Sequence, residues 1–282
     1  MSHTKKRGQS GVGPALKRTL VLSDLHLGRV TTLAHAPEVL APLLAGFDRV
    51  LLLGDIIDHW YTNAPQAKTL EQRIRAVCKA AGVKELIYFR GNHDACTEGE
   101  EFALLDGVLY LHGHAFYHKL RGHGSAKDRI QRLNEKKFGA RRMASRNGRH
   151  IWRVIDRVYS SIPMAILNPI AWPWPIRRRI KSLLAEVAPQ GGVRAVVLGH
   201  THRPGVRCLG EVTLFNLGGW IKNTRACGFV REGQRIKLVQ IENRSRQLCW
   251  GRILHERELG LPEGEGHVLV GRQASKSRIP VA

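Results

Sequence analysis

The feature that most constrains this chain is a series of short apolar runs, each ending in a polar turn. Five such runs occur: TLVLS before Asp24, VLLLG before Asp55, ELIYFR before Gly91, VLYL before His112 and AVVLG before His200. Continuous Val, Leu and Ile runs of this length indicate strands buried on both faces of a sheet. In open α/β sheets, functional loops lie beyond the carboxyl ends of such strands. The sequence therefore predicts a functional site at that edge of a covered sheet.

Helices are predicted between these strands. The apolar spacing indicates helices around 36–46 and 66–81, whereas residues 212–241 indicate several short strands. Alternating strands and helices followed by a strand-rich end are typical of a layered α/β domain with one or two mixed sheets. A chain of 282 residues can form one such domain with room for an insertion.

One segment departs from this pattern and carries most of the positive charge. Residues 119–181 contain 17 Lys or Arg and three acidic residues, a net charge of +14 within a total of +22. Its apolar residues fall near helical spacing, and four prolines follow residue 162. We predict that residues 115–185 form a basic helical cap lying over the functional site. Such an excess of charge favours nucleic acid or acidic lipid surfaces as partners.

The ends of the chain and its cysteines indicate where the protein works. Residues 1–17 are basic and polar without the apolar stretch of a secretory signal, and we predict a disordered arm. Residues 18–254 would form the folded domain, and the glycine-rich residues 255–282 a flexible tail. Five cysteines without a C-x-x-C pair favour a reducing cytoplasm. Because no run of about 18 apolar residues occurs, we expect no membrane-spanning helix.

Five motifs supply possible metal ligands in order along the chain. They are SDLHLG with Asp24 and His26, GDIIDHW with Asp55 and Asp58, GNHD with Asn92, His93 and Asp94, HGH with His112 and His114, and GHTHRP with His200 and His202. Mixed oxygen and imidazole donors suit Mn, Fe, Zn or Co better than Mg or Ca. Residues two apart in an extended chain lie on the same side, so each D-x-H or H-x-H pair would face one metal. One such histidine alone is more often structural, but five clusters after five strands predict a metal site.

In this order the motifs resemble those of the calcineurin-like metallophosphoesterase superfamily, over about residues 19–233. The resemblance implies an α/β four-layer sandwich of two mixed β-sheets flanked by helices. It also implies two divalent metal ions, manganese before iron or zinc, which activate a water for in-line attack on phosphorus. The implied ligands of one metal are Asp24, His26, Asp55 and His202, and those of the other are Asp55, Asn92, His112 and His200. Asp55 would then bridge the two ions.

The rest of the GNHD motif indicates an acid–base role. His93 lies outside the implied ligand set, and a neighbouring carboxylate, Asp94, would hold it as an imidazolium. Such a group stabilises charge in the transition state or protonates the leaving oxygen. We therefore predict that His93 and Asp94 are catalytic, with a structural role for His93 as the alternative.

A narrower resemblance concerns the substrate. SDLHLG, GDIIDHW, GHTHRP and the stretch FNLGGW at 215–220 resemble the UDP-2,3-diacylglucosamine pyrophosphohydrolase subfamily of lipid A biosynthesis, which carries a helical insertion at the same place. The resemblance implies substrate contacts from Arg203, Asn216 and Trp220. Two departures leave a different substrate open, because His93 and His114 stand where well-known members have Arg and Asp.

Three functions remain in competition. The first is hydrolysis of a phosphodiester or pyrophosphate bond in a phosphorylated lipid or nucleotide sugar, by a cytoplasmic protein peripheral on the inner face of the membrane. The Trp172-Pro173-Trp174 cluster and Arg177, Arg178 and Arg179 would then contact acidic headgroups. The second is a nucleic-acid or cyclic-nucleotide phosphodiesterase, or a phosphatase of other specificity, with steep salt dependence for a nucleic-acid substrate. The third is a non-catalytic binding protein, which the complete ligand set disfavours.

Overall fold

Two mixed β-sheets form the centre of the fold. The computed structural model describes residues 18–94, 99–117, 125–134, 146–163, 166, 174–189, 191–245, 247–260, 268–270 and 278–280. The strands are β1 Thr19–Leu22, β2 Arg49–Leu52, β3 Glu85–Tyr88, β4 Ala103–Leu105, β5 Val108–Tyr110, β6 Ala195–Leu198, β7 Gly205–Leu209, β8 Val212–Asn216, β9 Cys227–Glu232, β10 Arg235–Arg244, β11 Gln247–Glu258, β12 Val268–Val270 and β13 Arg278–Pro280. The first sheet has the order β11-β10-β9-β1-β2-β3-β13 and the second β12-β4-β5-β6-β8-β7. The strands β1, β2 and β3 are parallel, as are β5, β6 and β8.

The helices lie between these strands in the chain. They are α1 Ala41–Leu44, α2 Ala64–Ala80, α3 Ala126–Asn134, α4 Arg146–Tyr159 and α5 Trp174–Val187, with 3-10 turns at Pro37–Leu40 and His114–Tyr117. The start of α2 is fixed by a capping box, in which the Asn63 side chain accepts from Gln66 N and the Gln66 side chain accepts from Asn63 N. Pro65 in the first turn needs no amide partner there. No described helix is long and apolar enough to cross a membrane.

Three hydrophobic cores divide the fold into four layers. Side chains alternate along the buried strands, so Leu20 and Leu22 lie in one core while Val21 lies in the next. The first core packs the first sheet against α1 and α2, the second lies between the two sheets, and the third packs the second sheet against α5. The order is helices, sheet, sheet, helix, which confirms the predicted sandwich.

All five predicted strands are present, as β1, β2, β3, β5 and β6, and the helix predicted at 66–81 is α2. The helix predicted at 36–46 divides into a 3-10 turn and the short α1. The predicted end of the domain at residue 254 falls inside β11, which continues to Glu258. Residues 1–17, Trp172, Pro173 and much of the predicted flexible tail lie outside the described residues.

Candidate metal centre

The loops that follow five buried strands meet at one end of the sandwich. Asp24 follows β1 and Asp55 follows β2, and the two loops are joined because Asp24 N donates to Gly54 O at 3.0 Å and His26 N donates to Asp55 O at 2.9 Å. The second sheet contributes its own loops after β5 and β6. Residues far apart in the chain are thereby brought together: Asp24, His26, Asp55, Asp58, Asn92, His93, His112, His200 and His202.

The backbone at this site is left-handed rather than extended. The φ angles are 56° at Asp24, 48° at His26, 53° at Asp55, 69° at His200 and 56° at His202. These are five of the seven described non-glycine residues with positive φ, a conformation that costs on the order of 1–3 kcal/mol each. The expectation that D-x-H and H-x-H pairs face one metal from an extended chain is therefore wrong. Sharp turns after the strands, not strand alternation, aim these side chains.

One group of donors comes from the loops that follow β1, β2 and β6. The ligand atoms of Asp24, His26, Asp55 and His202 all lie within 4.8 Å of one another. Nε2 of His202 is 3.2 Å from Asp24 Oδ1 and 3.1 Å from Nε2 of His26. Three of the four residues are buried. Two imidazole nitrogens and two carboxylates converge here.

A second group shares Asp55 with the first. The ligand atoms of Asp55, His112 and His200 also lie within 4.8 Å of one another. Nε2 of His112 is 3.2 Å from Asp55 Oδ2 and 3.3 Å from Asn92 Oδ1. Asp55 is held in place because its Oδ1 accepts from His93 N at 2.8 Å. A carboxylate common to two clusters has the position of a bridging ligand.

The chemistry of these donors fits divalent cations. Nδ1 of His112 faces Leu53 O at 2.6 Å and Nδ1 of His26 faces Asp58 Oδ2 at 2.9 Å, so in each ring Nε2 is turned toward the cluster. Burial lowers the pKa of His26 to about 4, which favours its neutral, metal-binding form. Burial alone would lower the pKa of His112. The negative charges of Asp55 and Asp24 outweigh burial and raise this pKa above its usual value, to about 9. Positive charge at this point would offset the negative charge of the buried carboxylates. The clusters therefore fit a dinuclear metal site.

Asp58 links the first cluster to His93, a role that the sequence did not reveal. Its Oδ2 faces Nδ1 of His26, and its Oδ1 is 3.1 Å from Nδ1 of His93. Burial lowers the pKa of His93, but the charges of Asp58 and Asp55 more than offset this and raise it to about 9. His93 also packs against the indole of Trp60, with ring centroids 4.6 Å apart. Asp58 is the charged partner that was predicted to be Asp94.

Asp94 has a different task from the catalytic one predicted. It is 3% exposed, and its carboxylate accepts from the amides of Ile56 at 3.0 Å and Ile57 at 2.9 Å. These bonds tie the loop after β3 to the loop that carries Asp55. Burial and the nearby Asp55 raise the pKa of Asp94 to about 7. Asp94 thus fixes the shape of the loop, while the ring of His93 faces Asp58 instead.

Two glycines allow the loops to approach so closely. A Cβ at Gly91 would lie 2.2 Å from Asp55 N, and one at Gly199 would lie 2.1 Å from Asp24 Oδ2. Real Cβ atoms do not come this near to other heavy atoms. The first residues of GNHD and GHTH are therefore glycine because the carboxylates of the neighbouring loops occupy the space.

The predicted substrate contacts differ in exposure. Trp220 is fully buried in the core beneath the first sheet. Asn216 is also fully buried, where its Nδ2 donates to Gly199 O at 2.9 Å and its Oδ1 accepts from Gly218 N at 3.1 Å. Their burial argues against contact with substrate: Asn216 supports the GHTH loop, and the amide of Trp220 donates to Asp24 O at 3.2 Å. Arg203 is half-buried, and its backbone N–H donates to Thr201 Oγ1 at 3.2 Å.

Comparison with known proteins decides the family. A sequence profile described as calcineurin-like phosphoesterase matches residues 17–204. The chain belongs to this family. Together with the two clusters, membership identifies a metal-dependent phosphoesterase.

Individual relatives are distant. A search of curated proteins gave no significant match. A solved dimetal phosphatase from Danio rerio is 13% identical, with 84% of this chain and 99% of that chain covered and a TM-score of 0.45. Vps29 from Entamoeba histolytica complexed with zinc is 13% identical, with 86% and 99% covered and a TM-score of 0.43. A predicted phosphoesterase from Streptococcus pneumoniae is 13% identical, with 86% and 98% covered and a TM-score of 0.36.

Proposed function

We propose that this phosphoesterase hydrolyses a phosphodiester or pyrophosphate bond with two divalent metal ions, manganese by preference. The observation that carries the proposal is the shared position of Asp55 in two clusters of ligand atoms, each within 4.8 Å. The residues proposed to hold the ions are Asp24, His26, Asp55, Asn92, His112, His200 and His202. Two such ions act as Lewis acids on the phosphoryl group and make the attacking water more acidic.

The residues around the site would complete this chemistry. His93 is 13% exposed at the edge of the centre, and Asp58 holds its ring by Nδ1. A protonated imidazole there can stabilise negative charge at phosphorus or give its proton from Nε2 to the leaving oxygen. Ser23 supports the first cluster, because its Oγ donates to Asp24 Oδ2 at 2.5 Å. We assign the acid role to His93 and the orienting role to Asp58.

For the substrate, we propose a phosphorylated lipid or nucleotide sugar of the UDP-2,3-diacylglucosamine type, met at an acidic membrane surface. The support comes from α4, whose exposed apolar side chains are Ile151, Val154, Ile155 and Val158, with exposures of 58%, 49%, 44% and 61%. Spaced by three and four residues, they form one stripe along the helix. Exposed arginines of the same basic segment, Arg177 and Arg178, accompany it. An apolar stripe with cationic flanks is typical of a helix lying at a membrane interface.

The competing substrate class is nucleic acid. The formal charge of +22 supports it equally well, because any polyanion is attracted to such a surface. The apolar stripe favours lipid over nucleic acid, since phosphate contacts need no exposed Ile or Val side chains.

A substrate screen tests both levels of the proposal. The purified protein with Mn²⁺ is assayed on bis(4-nitrophenyl) phosphate, UDP-2,3-diacylglucosamine, UDP-glucose, cyclic AMP and single-stranded DNA. We expect hydrolysis of the chromogenic diester that EDTA abolishes and Mn²⁺ restores. Faster turnover of the diacyl nucleotide sugar than of UDP-glucose would support the lipid substrate. Turnover of DNA alone would overturn the lipid assignment, and turnover of nothing would overturn the hydrolase.

A further inference from the structure

A groove lies beside the loops of the metal centre and takes no part in the proposed hydrolysis. Its volume is about 380 Å³, within the range of small-molecule pockets. It is lined by Gly28, Tyr61, Thr62, Pro65, Gln66, Thr69, Leu70, Arg73 and Arg153. The first turns of α2 form one wall, and α4 contributes Arg153. The clustered donor groups do not line the groove.

The floor of the groove is continuous with the metal centre. Gly28 is two residues beyond His26, and the amides of Tyr61 and Thr62 donate to Asp58 O at 3.1 and 3.2 Å. Asp58 in turn faces His26 and His93. The groove therefore borders the loops that carry His26 and Asp58.

The lining of the groove indicates the chemistry of its occupant. Tyr61 and Leu70 offer apolar surface, while Thr69 and Gln66 offer hydrogen-bonding groups. Of the two guanidinium groups, Arg73 is already paired with Glu38 through Nε at 2.8 Å and Nη2 at 2.5 Å. Arg153 is exposed and has no acidic partner among the described residues. One uncompensated cation next to hydrogen-bonding groups suits an organic group that carries negative charge.

The helix that carries Arg153 is locked in place by a buried ion pair. Asp156 is fully buried, and it accepts from Arg29 Nε at 2.9 Å, from Arg29 Nη2 and from Thr31 Oγ1 at 2.7 Å. The end of α4 is held as well, because Asn223 Nδ2 donates to Tyr159 O at 3.0 Å and to Ile162 O at 2.6 Å. Arg29 directly follows Gly28 in the floor of the groove. The bonds of Arg29 and Thr31 to Asp156 thus fix α4, and with it Arg153, relative to the loop that bears His26.

Resting on the proposed function, we propose that this groove binds the non-reacting organic group of the substrate and that Arg153 recognises an anionic substituent on that group. Asp156 is a positioning residue that acts through α4. The preferred substrates are then phosphodiesters or pyrophosphates with a further phosphate or carboxylate on the distal group. This goes beyond the metal centre, which treats all such esters alike.

Two matched diesters test the proposal in the metal-loaded full chain. Both are 4-nitrophenyl phosphodiesters, one of glycerol and one of glycerol phosphate, so the reacting bond and the leaving group are identical. Water attacks the diester phosphorus and 4-nitrophenolate leaves. We expect Arg153→Ala to raise KM for the phosphorylated diester relative to the glycerol diester by about tenfold, the usual scale of one charge-assisted contact. Arg153→Lys should recover part of this ratio.

Control variants make the result specific. Arg157→Ala removes another exposed arginine, one turn further along α4 and outside the groove, and should leave the KM ratio unchanged. Asp156→Asn should shift the KM ratio in the direction of Arg153→Ala with little change in kcat, because it loosens the helix and not the metal centre. Equal KM changes for both diesters, or an equal effect of Arg157→Ala, would overturn the recognition by Arg153.

Failure of the proposed function gives a different result. If the wild-type protein hydrolyses neither diester, the hydrolase proposal is wrong, and calorimetric binding of glycerol 3-phosphate then tests the groove alone. Binding that weakens by about tenfold in Arg153→Ala, but not in Arg157→Ala, would support the anion site. Identical binding by all three proteins would refute it.

Discussion

At the scale of single residues, Asp55 is the side chain on which both clusters depend. An amide at this position keeps the shape but loses the charge that two neighbouring cations require. We predict that Asp55→Asn loses most bound metal and all measurable hydrolysis, whereas Asp48→Asn, at a surface ion pair with Lys84, retains both. Metal content after dialysis is measured by plasma mass spectrometry. Two equivalents retained by Asp55→Asn would contradict the bridging role.

His93 should affect chemistry more than metal binding. We predict that His93→Ala keeps both metals and slows turnover by about 10²–10⁴-fold, the usual contribution of a positioned acid. The loss should be smaller for a nitrophenol leaving group, which needs no proton, than for an alkanol. Rates for diesters with these two leaving groups decide the matter, and an equal loss for both would leave only charge stabilisation.

Asp58 tests whether the orientation of two histidines matters. We predict that Asp58→Asn lowers metal affinity or activity by about 10–100-fold, the range found when the hydrogen-bond partner of a metal-binding histidine is removed. Metal titration and steady-state kinetics measure the two effects separately. Values equal to wild type would mean that His26 and His93 are held by packing alone.

The sequence predicted which residues could donate to a metal, but not the contacts between them. Spacing along the chain placed Asp94 next to His93, yet in the fold Asp94 turns toward Ile56 and Ile57 while Asp58 faces the ring. Such partners depend on how the loops after β2 and β3 meet in the fold, which spacing along the chain does not show. The resemblance implied a substrate contact for Trp220, but this side chain is fully buried in the packed core.

At the scale of elements, the glycines between strands and ligands control how closely two loops approach. A methyl group at Gly199 would lie 2.0 Å from Ser23 Oγ, whereas one at Gly205 would meet nothing within 4 Å. We predict that Gly199→Ala lowers the melting temperature by roughly 5 °C or more and weakens metal binding, since overpacking costs about 1–3 kcal/mol. Gly205→Ala should match the wild type. Equal melting curves and metal contents for the two variants would refute the steric argument.

The strands were predictable because burial on both faces leaves a continuous apolar run. The run VLLLG gave β2 and AVVLG gave β6. Helix α1 was predicted as part of a longer helix, but its chain divides at Leu40 between a 3-10 turn and an α-turn. The sequence predicted helices in this segment from apolar spacing and charge, but it did not show which side of each helix packs against the fold. In α4 an acidic residue, Asp156, is buried, while four apolar residues, Ile151, Val154, Ile155 and Val158, are exposed, the reverse of the usual pattern.

At the scale of the whole molecule, part of the basic segment that was predicted to form a cap packs into the core of the fold. Ile176, Ile180 and Leu183 of α5 are buried against the second sheet. Replacing residues 119–181 by a linker would therefore expose a core as well as remove a surface. Point substitutions on α4 separate these effects, because its apolar stripe faces solvent and its opposite side is held by Arg29 and Thr31.

The last prediction separates a lipid surface from nucleic acid. Val154 and Val158 are 49% and 61% exposed on α4, and burying one such side chain in an apolar layer contributes about 1.5–3 kcal/mol. The double change Val154→Glu and Val158→Glu should weaken flotation with acidic vesicles by at least about tenfold. Ile253→Glu on β11, with 50% exposure, is the control and should float as the wild type does.

Binding to single-stranded DNA over a salt series is the second measurement in this experiment. Nucleic-acid affinity depends on the overall charge of +22, so two added carboxylates should change it far less than they change vesicle binding. A wild-type protein that does not float, binds DNA with a steep salt slope and cleaves it would refute the lipid surface. Equal flotation of the α4 double variant and the Ile253→Glu control would place the membrane contact elsewhere than on α4.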